Sequence, residues 1–258
     1  METPRGRIGW LEAGSGWPVI LLHGFPLNAD MWRPQLERAP IGWRFVAPDL
    51  RGFGQTAGAG TSLSVDEWAA DVFALMDSLE MDDAVIGGLS LGGYVTFAMY
   101  RQAATRFNGM VLANTRSQPD SEQALAGRMQ LRRLLAEQGP STVAPQLLPK
   151  LFSSGADPGA VAFARDLIEA AAPEAIDAAI GALMDRPDST PDLPRITCAA
   201  LVIASDQDAI VPLAEAEEMQ RALTRSQLIV LGGAGHMSNL EQPDAFSRAL
   251  EDFLRSAL

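Results

Sequence analysis

Cysteine and histidine are nearly missing from this chain. In 258 residues there is one cysteine, Cys198, and there are two histidines, His23 and His236. A single cysteine excludes an internal disulfide and is compatible with a reducing compartment. Cys198 precedes an apolar run and is expected to be a buried small hydrophobe. Two histidines far apart in sequence and one cysteine form no ligand cluster of familiar spacing, so no metal site is expected. Long apolar runs are also lacking. None reaches the roughly 18 residues of a membrane span, and the opening "METPRGRIGW" has no apolar stretch of the secretory kind, which makes a soluble cytoplasmic protein the expectation. Basic residues are scarce: 20 Lys and Arg stand against 32 Asp and Glu, a formal net charge of -12. Nucleic acid is therefore not an expected partner, and a strongly anionic substrate would have to enter against the overall field. No phosphate loop or dinucleotide fingerprint occurs, and no cofactor is implied.

Apolar residues are plentiful. At 47% hydrophobic content the chain can bury a full-sized core, and its length suits one large α/β domain carrying an insertion. Short apolar runs recur at Val19 to Leu22, Phe45 to Ala47, Ala84 to Gly87, Met110 to Ala113, Ala199 to Ala204 and Gln227 to Leu231. They are apolar throughout, as strands covered on both faces should be. Helical patterns lie between them. "SVDE" from Ser64 reads as a capping box, followed by Trp68, Val72, Leu75 and Leu79 at helical spacing. A last helix from Asp244 carries Phe246, Leu250, Phe253 and Leu254 on one stripe. Strand and helix in alternation predict a mostly parallel central sheet with helices on both faces. From Ser117 to Pro194 the alternation stops, and only helical windows appear, broken at Gly139-Pro140, Pro158-Gly159, Pro173 and Pro187. The expected organisation is a core of residues 1–116 and 195–258 with a helical cap of residues 117–194. "AGAGTS" around Gly58 reads as a surface loop.

"AVIGGLSLGGYVTFA" places one hydroxyl, Ser90, among Gly88, Gly92 and Gly93 at the end of a predicted strand. Two readings fit: a tight glycine turn whose serine caps the next helix, or a strained elbow that lifts the hydroxyl off the sheet edge. A helix N-terminus at Leu91 would favour negative charge developing there. A serine nucleophile needs a base. His236, in "GGAGHMSNLEQP", follows the last predicted strand, which a parallel topology brings to the same sheet edge. After the preceding strand, "ASDQDAIVP" offers Asp206 and Asp208 to orient an imidazole. The chain order is then serine, aspartate, histidine.

With these segments in place the chain resembles an α/β-hydrolase over nearly its whole length. "LLHGFPLNADMW" is similar to that family's His-Gly oxyanion segment, "APDLRGFGQT" to its Asp-x-Arg-Gly-x-Gly loop, "GGLSLGG" to its nucleophile elbow, and "GAGHMSNLEQP" to its histidine loop. The resemblance implies Ser90, Asp208 and His236 as catalytic residues. Pro212 favours Asp208 over Asp206, although Ser205 stands where the family commonly has glycine. It implies backbone N–H groups of Phe25 and Leu91 as the oxyanion hole, His23 as a packed support for that loop, and Arg51 as a loop anchor. His236 would take the Ser90 proton while Asp208 holds its tautomer, giving an acyl-enzyme that water hydrolyses.

Phe25, Trp32, Leu91 and cap residues such as Met129, Leu134, Leu147, Phe152 and Leu183 suggest a largely apolar pocket, with Phe25, Trp32, Leu147 and Phe152 as candidate substrate contacts. The layout resembles small carboxylesterases first and 3-oxoadipate enol-lactonases second, with cofactor-free haloperoxidases or perhydrolases more distant. A lactonase with an anionic substrate would want an inward arginine, for which Arg116, Arg128, Arg132, Arg133 and Arg165 are available. Ligand receptors without turnover also occur on this fold. Aspartate-nucleophile chemistries are disfavoured because Ser90 occupies the nucleophile position.

Overall fold

The structure is a computed structural model that describes residues 1–56, 58 and 63–257; the "AGAGTS" stretch lies, Gly58 apart, outside the described residues. Seven strands form one sheet: β1 (Trp10–Gly14), β2 (Gly16–Leu22), β3 (Gly42–Pro48), β4 (Ala84–Leu89), β5 (Phe107–Ala113), β6 (Ala199–Ser205) and β7 (Ser226–Leu231). Their order is β1-β3-β2-β4-β5-β6-β7. Only β1 runs antiparallel, against β3, and every other neighbour pair is parallel. The mostly parallel sheet is thus as expected, with one strand in addition. β1 escapes the apolar-run criterion because it is an edge strand, half-exposed along its length.

The uniformly apolar strands divide residue by residue between two clusters. Ile20, Leu22, Ile86, Met110, Leu112 and Val202 face one side. Val19, Leu21, Val85, Val111, Leu201 and Ile203 face the other. Alternate Cβ atoms of a strand point to opposite faces, so a strand covered on both must be apolar at every position. Helices α1 (Val65–Ser78) and α2 (Leu91–Ala103) cover the first face. The Ser64 hydroxyl accepts the Glu67 N–H at 3.1 Å and caps α1 as its sequence predicts.

Between β5 and β6 lie four helices and no strand: α3 (Glu122–Gln138), α4 (Val143–Leu151), α5 (Pro158–Glu169) and α6 (Pro173–Met184). Their apolar faces join the second cluster through Leu135, Leu148, Leu151, Ile168 and Ile180. The two ends of the insertion meet where Ser189 N–H donates to Ser117 O at 2.9 Å. Beside them the Arg186 guanidinium, sealed from solvent, lies 2.7 Å from Asp120 and 4.2 Å from the centroid of the Tyr94 ring on α2. After β6 come α7 (Leu213–Ala222) and, after β7, α8 (Pro243–Ala257). The stripe Phe246, Leu250, Phe253 and Leu254 of α8 is buried in the second cluster. No helix among the described residues is long and apolar enough to cross a membrane.

Candidate active site

Ser90 follows β4 directly and has φ 54° and ψ −111°. That backbone is sparsely populated for a residue with a Cβ and costs on the order of 1–3 kcal/mol. Its surroundings over-determine it: Ser90 N–H donates to Ala113 O at 3.0 Å, while Ser90 O accepts from Gly93 N–H at 2.9 Å and from the Thr115 hydroxyl at 2.9 Å. The flanking glycines are explained by close approach. A Cβ on Gly92 would sit 2.2 Å from Leu22 O, and one on Gly93 would sit 2.4 Å from Thr115 Oγ1. The reading of Ser90 as a mere helix cap fails, because its side chain makes no capping hydrogen bond to α2. Leu91 opens α2, so its N–H has no acceptor within the helix and points out of the same end.

The His23–Phe25 loop after β2 lies alongside. A Cβ on Gly24 would be 3.9 Å from the Ser90 Cβ, so this backbone passes directly over the serine. His23 Nε2 accepts the Leu50 N–H at 3.0 Å, which obliges Nδ1 to carry the proton facing Gly24 O, also at 3.0 Å. Both ring nitrogens are consumed, and burial holds the imidazole below its ordinary pKa. Asp49 secures the next loop by accepting the Ala29 and Gln55 N–H groups, each at 2.8 Å. Arg51 is paired with Asp71, 2.8 Å from Nε to Oδ2, and so is tied into the loop scaffold.

The structure brings Asp208 and not Asp206 to the second histidine. His236 Nδ1 is 2.8 Å from Asp208 Oδ2, and both side chains are almost wholly buried. Asp206 is exposed, and its carboxylate accepts the Gly233 N–H at 2.6 Å. Asp208 Oδ1 accepts the N–H groups of Ile210 and Val211 at 2.8 and 2.9 Å. Burial pushes the Asp208 carboxyl up, but the facing His236, its hydrogen bond, the Val211 N–H and Asn114 outweigh burial and hold it below the usual carboxylate range. An ionised carboxylate only accepts, so Nδ1 of His236 donates and the Nε2 lone pair is left free to take a proton. No hydrogen bond joins the Ser90 hydroxyl to His236 here; such contacts commonly tighten only around bound substrate.

Asn114 is a member of this network that sequence reasoning passed over. It follows β5 directly with φ 43°, in the left-handed region that asparagine tolerates. Its Nδ2 donates to Asp208 Oδ2 at 3.0 Å and to Ser205 Oγ at 2.9 Å, and its Oδ1 accepts the Ser238 hydroxyl at 2.6 Å. Ser205, the departure from the family pattern, therefore supplies an acceptor to the residue that steadies the acid. A polar residue directly after an apolar strand, in "MVLANT", is the only signal that would have marked it.

The apolar candidates separate by burial. Leu147 and Phe25 are partly buried and packed on the second cluster, and Phe152 is buried in it. Trp32 is 1% exposed with its ring 5.7 Å from that of Phe246, and its indole N–H has no acceptor among the described residues. Met129 is 54% exposed and does not belong to an interior wall. Cys198 is half-buried rather than fully buried, packed against the first cluster, with burial raising its thiol to about 11. Among the described residues no cluster of His, Cys, Asp and Glu suits a metal ion.

The strained turn at Ser90, the His23–Phe25 loop and the Asp208–His236 pair are carried on a mostly parallel sheet, and comparison with known proteins gives the family of that fold. Residues 19–249 match the family described as the alpha/beta hydrolase family. The chain belongs to that family. It is 31% identical to 3-oxoadipate enol-lactonase 2 of Acinetobacter baylyi, over 92% of this chain and 88% of that protein. Among solved structures it is similar to a thermophilic esterase from Thermogutta terrifontis (TM-score 0.92, 36% identity, 97% and 93% of the two chains). It is also similar to the enol-lactonase from Burkholderia xenovorans LB400 (TM-score 0.91, 25% identity, 99% of each chain).

Proposed function

We propose that this hydrolase cleaves carboxylic esters of small or medium apolar substrates through an acyl-enzyme on Ser90. The observation that carries the reading is a serine held at φ 54° on a helix N-terminus, at the edge where His236 is fixed by Asp208 at 2.8 Å with Nε2 free. His236 takes the Ser90 proton as the hydroxyl attacks the carbonyl, and Asp208 stabilises the imidazolium. The N–H groups of Phe25 and Leu91 hold the oxyanion, each donor worth about 3–4 kcal/mol of barrier. The alcohol leaves with the proton from His236, and water activated by the same nitrogen releases the acid. Helices α3 to α6 act as a cap, with Leu147 and Phe152 contributing to the acyl pocket beside Phe25 and Trp32.

Likeness to two enol-lactonases favours lactone hydrolysis as the second reading. Four of the five arginines that would greet an anionic lactone lie beside carboxylates. Arg116 lies 3.0 Å from Glu215, Arg128 pairs with Asp120, Arg132 with Asp177, and Arg165 sits 4.0 Å from Glu169. Arg133 is exposed on α3. A neutral ester suits this wall better. The test is Ser90→Ala, which should fold normally, lose fluorophosphonate labelling and lose short-chain p-nitrophenyl ester hydrolysis by roughly 10⁴- to 10⁶-fold. Near wild-type turnover in the variant removes Ser90 from the chemistry. Multiple turnovers by the wild type, as opposed to one stoichiometric burst, exclude a receptor, and a higher kcat/KM on an anionic enol-lactone would reverse the ranking.

A further inference from the structure

The histidine loop and the insertion meet at one place. Met237 N–H donates to Leu151 O at 2.9 Å, a direct backbone link between the residue after His236 and the end of α4. On the other side of His236 the link is indirect. Gly235 N–H and Ser153 N–H both point into the gap between the two segments, and two facing donors cannot bond one another. The Glu241 carboxylate fills the gap, with Oε1 accepting from Gly235 at 2.8 Å and Oε2 from Ser153 at 3.0 Å. The segments touch so closely that a Cβ on Gly235 would lie 2.6 Å from Ser153 N and 2.8 Å from Phe152 C. Residues 235 and 237 are thus both fastened to residues 151–153, with His236 between them and Phe152 opposite.

We propose that Glu241 is a positioning residue that locks His236 and the Phe152 wall of the insertion into one frame. The proposal rests on the esterase reading above and adds to it where the cap is anchored. A carboxylate is required because each oxygen accepts a separate N–H from opposite sides, and an amide of the same shape offers one acceptor and one donor. With the bridge gone, Gly235 and Ser153 retain unpaired N–H groups, the two segments part, and the imidazole loses its fixed approach to Ser90. Displacements of about 1 Å at a reacting group cost on the order of a hundredfold.

The experiment compares wild type, Glu241→Gln and Glu241→Ala on p-nitrophenyl acetate, butyrate and octanoate, with the rate of fluorophosphonate labelling and the thermal midpoint measured on the same samples. Expected are a ten- to hundredfold fall in kcat, a matching fall in labelling rate, and a flatter acyl-chain profile, since histidine and acyl wall are loosened together. Gln should do little better than Ala, because its amide cannot serve both donors. If Glu241→Ala does not fold, the isosteric Gln variant carries the comparison alone. A variant with a lowered thermal midpoint but unchanged kcat, labelling rate and chain profile makes Glu241 a structural tie only and overturns the proposal. So does full rescue by Gln. Loss of the esterase reading would show differently, as wild-type turnover in Ser90→Ala.

Discussion

His23 and His236 are sealed from solvent to the same degree, 0% and 2% exposed, and both lie on loops that leave the sheet beside Ser90. Burial therefore does not distinguish them; hydrogen bonding does. His23 spends both nitrogens on backbone groups of Gly24 and Leu50, which makes it a neutral brace for the loop over the serine. His236 spends one nitrogen on an ionised carboxylate and keeps the other free. A buried histidine becomes a base when one nitrogen is left uncommitted and its partner can bear the positive charge. The other buried histidine contributes to the same site as a brace, its imidazole held below its ordinary pKa by burial.

Replacing each histidine sharpens that contrast most. His236→Ala should reduce kcat by roughly 10⁴- to 10⁶-fold. His23→Ala should leave the Leu50 N–H unpaired, cost about 1–3 kcal/mol of stability in a urea melt, and lower kcat of the folded fraction far less. Equal kinetic losses would erase the distinction. Next is the acid: Asp208→Asn should cost about 10⁴-fold in kcat, while Asp206→Asn should cost under about tenfold, since only the former sets the imidazole tautomer. Reversed magnitudes in steady-state kinetics would move the acid by two residues.

Smaller effects come from the wall and from pH. Leu147→Ala or Phe152→Ala should shift kcat/KM toward longer acyl chains by about tenfold, methylenes being worth roughly 1–3 kcal/mol each, while Glu137→Ala on the outer side of α3 shifts nothing. An unchanged chain profile would assign selectivity to Phe25 and Trp32 alone. The smallest effect is on stability and comes from His23. Burial lowers the His23 pKa in the folded state, so below the ordinary value of about 6.5 the unfolded chain binds the proton first, and stability falls with pH from there downward. Asp120 is pushed up by burial but pulled below its ordinary value by Arg128 and Arg186. Its contribution is complete above about 4 and is lost as pH falls through its lowered folded value. Thermal midpoints should therefore decline as pH falls below about 6.5 in the wild type, and this slope should be shallower in His23→Gln. A midpoint that is flat down to pH 5 would show that His23 accepts a proton in the fold.

The amino-acid sequence by itself determined the layered architecture, because strands covered on both faces must be apolar at every position and helices over them apolar on one stripe. It also determined the chain order serine, aspartate, histidine and the glycines around Ser90, where a Cβ at Gly92 or Gly93 would meet its neighbours. Those signals are local. The tertiary structure set Asp208, the aspartate that the resemblance favours through Pro212, against the imidazole and turned Asp206 to the Gly233 N–H. Only it revealed Asn114 joining Ser205, Asp208 and Ser238 across as many as 124 positions of sequence, and Glu241, bonded to Gly235, reaching Ser153 across 88. It alone showed that Arg128 and Arg132 of the insertion lie against Asp120 and Asp177. Hydrogen bonds and ion pairs between distant segments leave no periodicity in the chain; their partners are chosen by the fold that apolar patterning has already built.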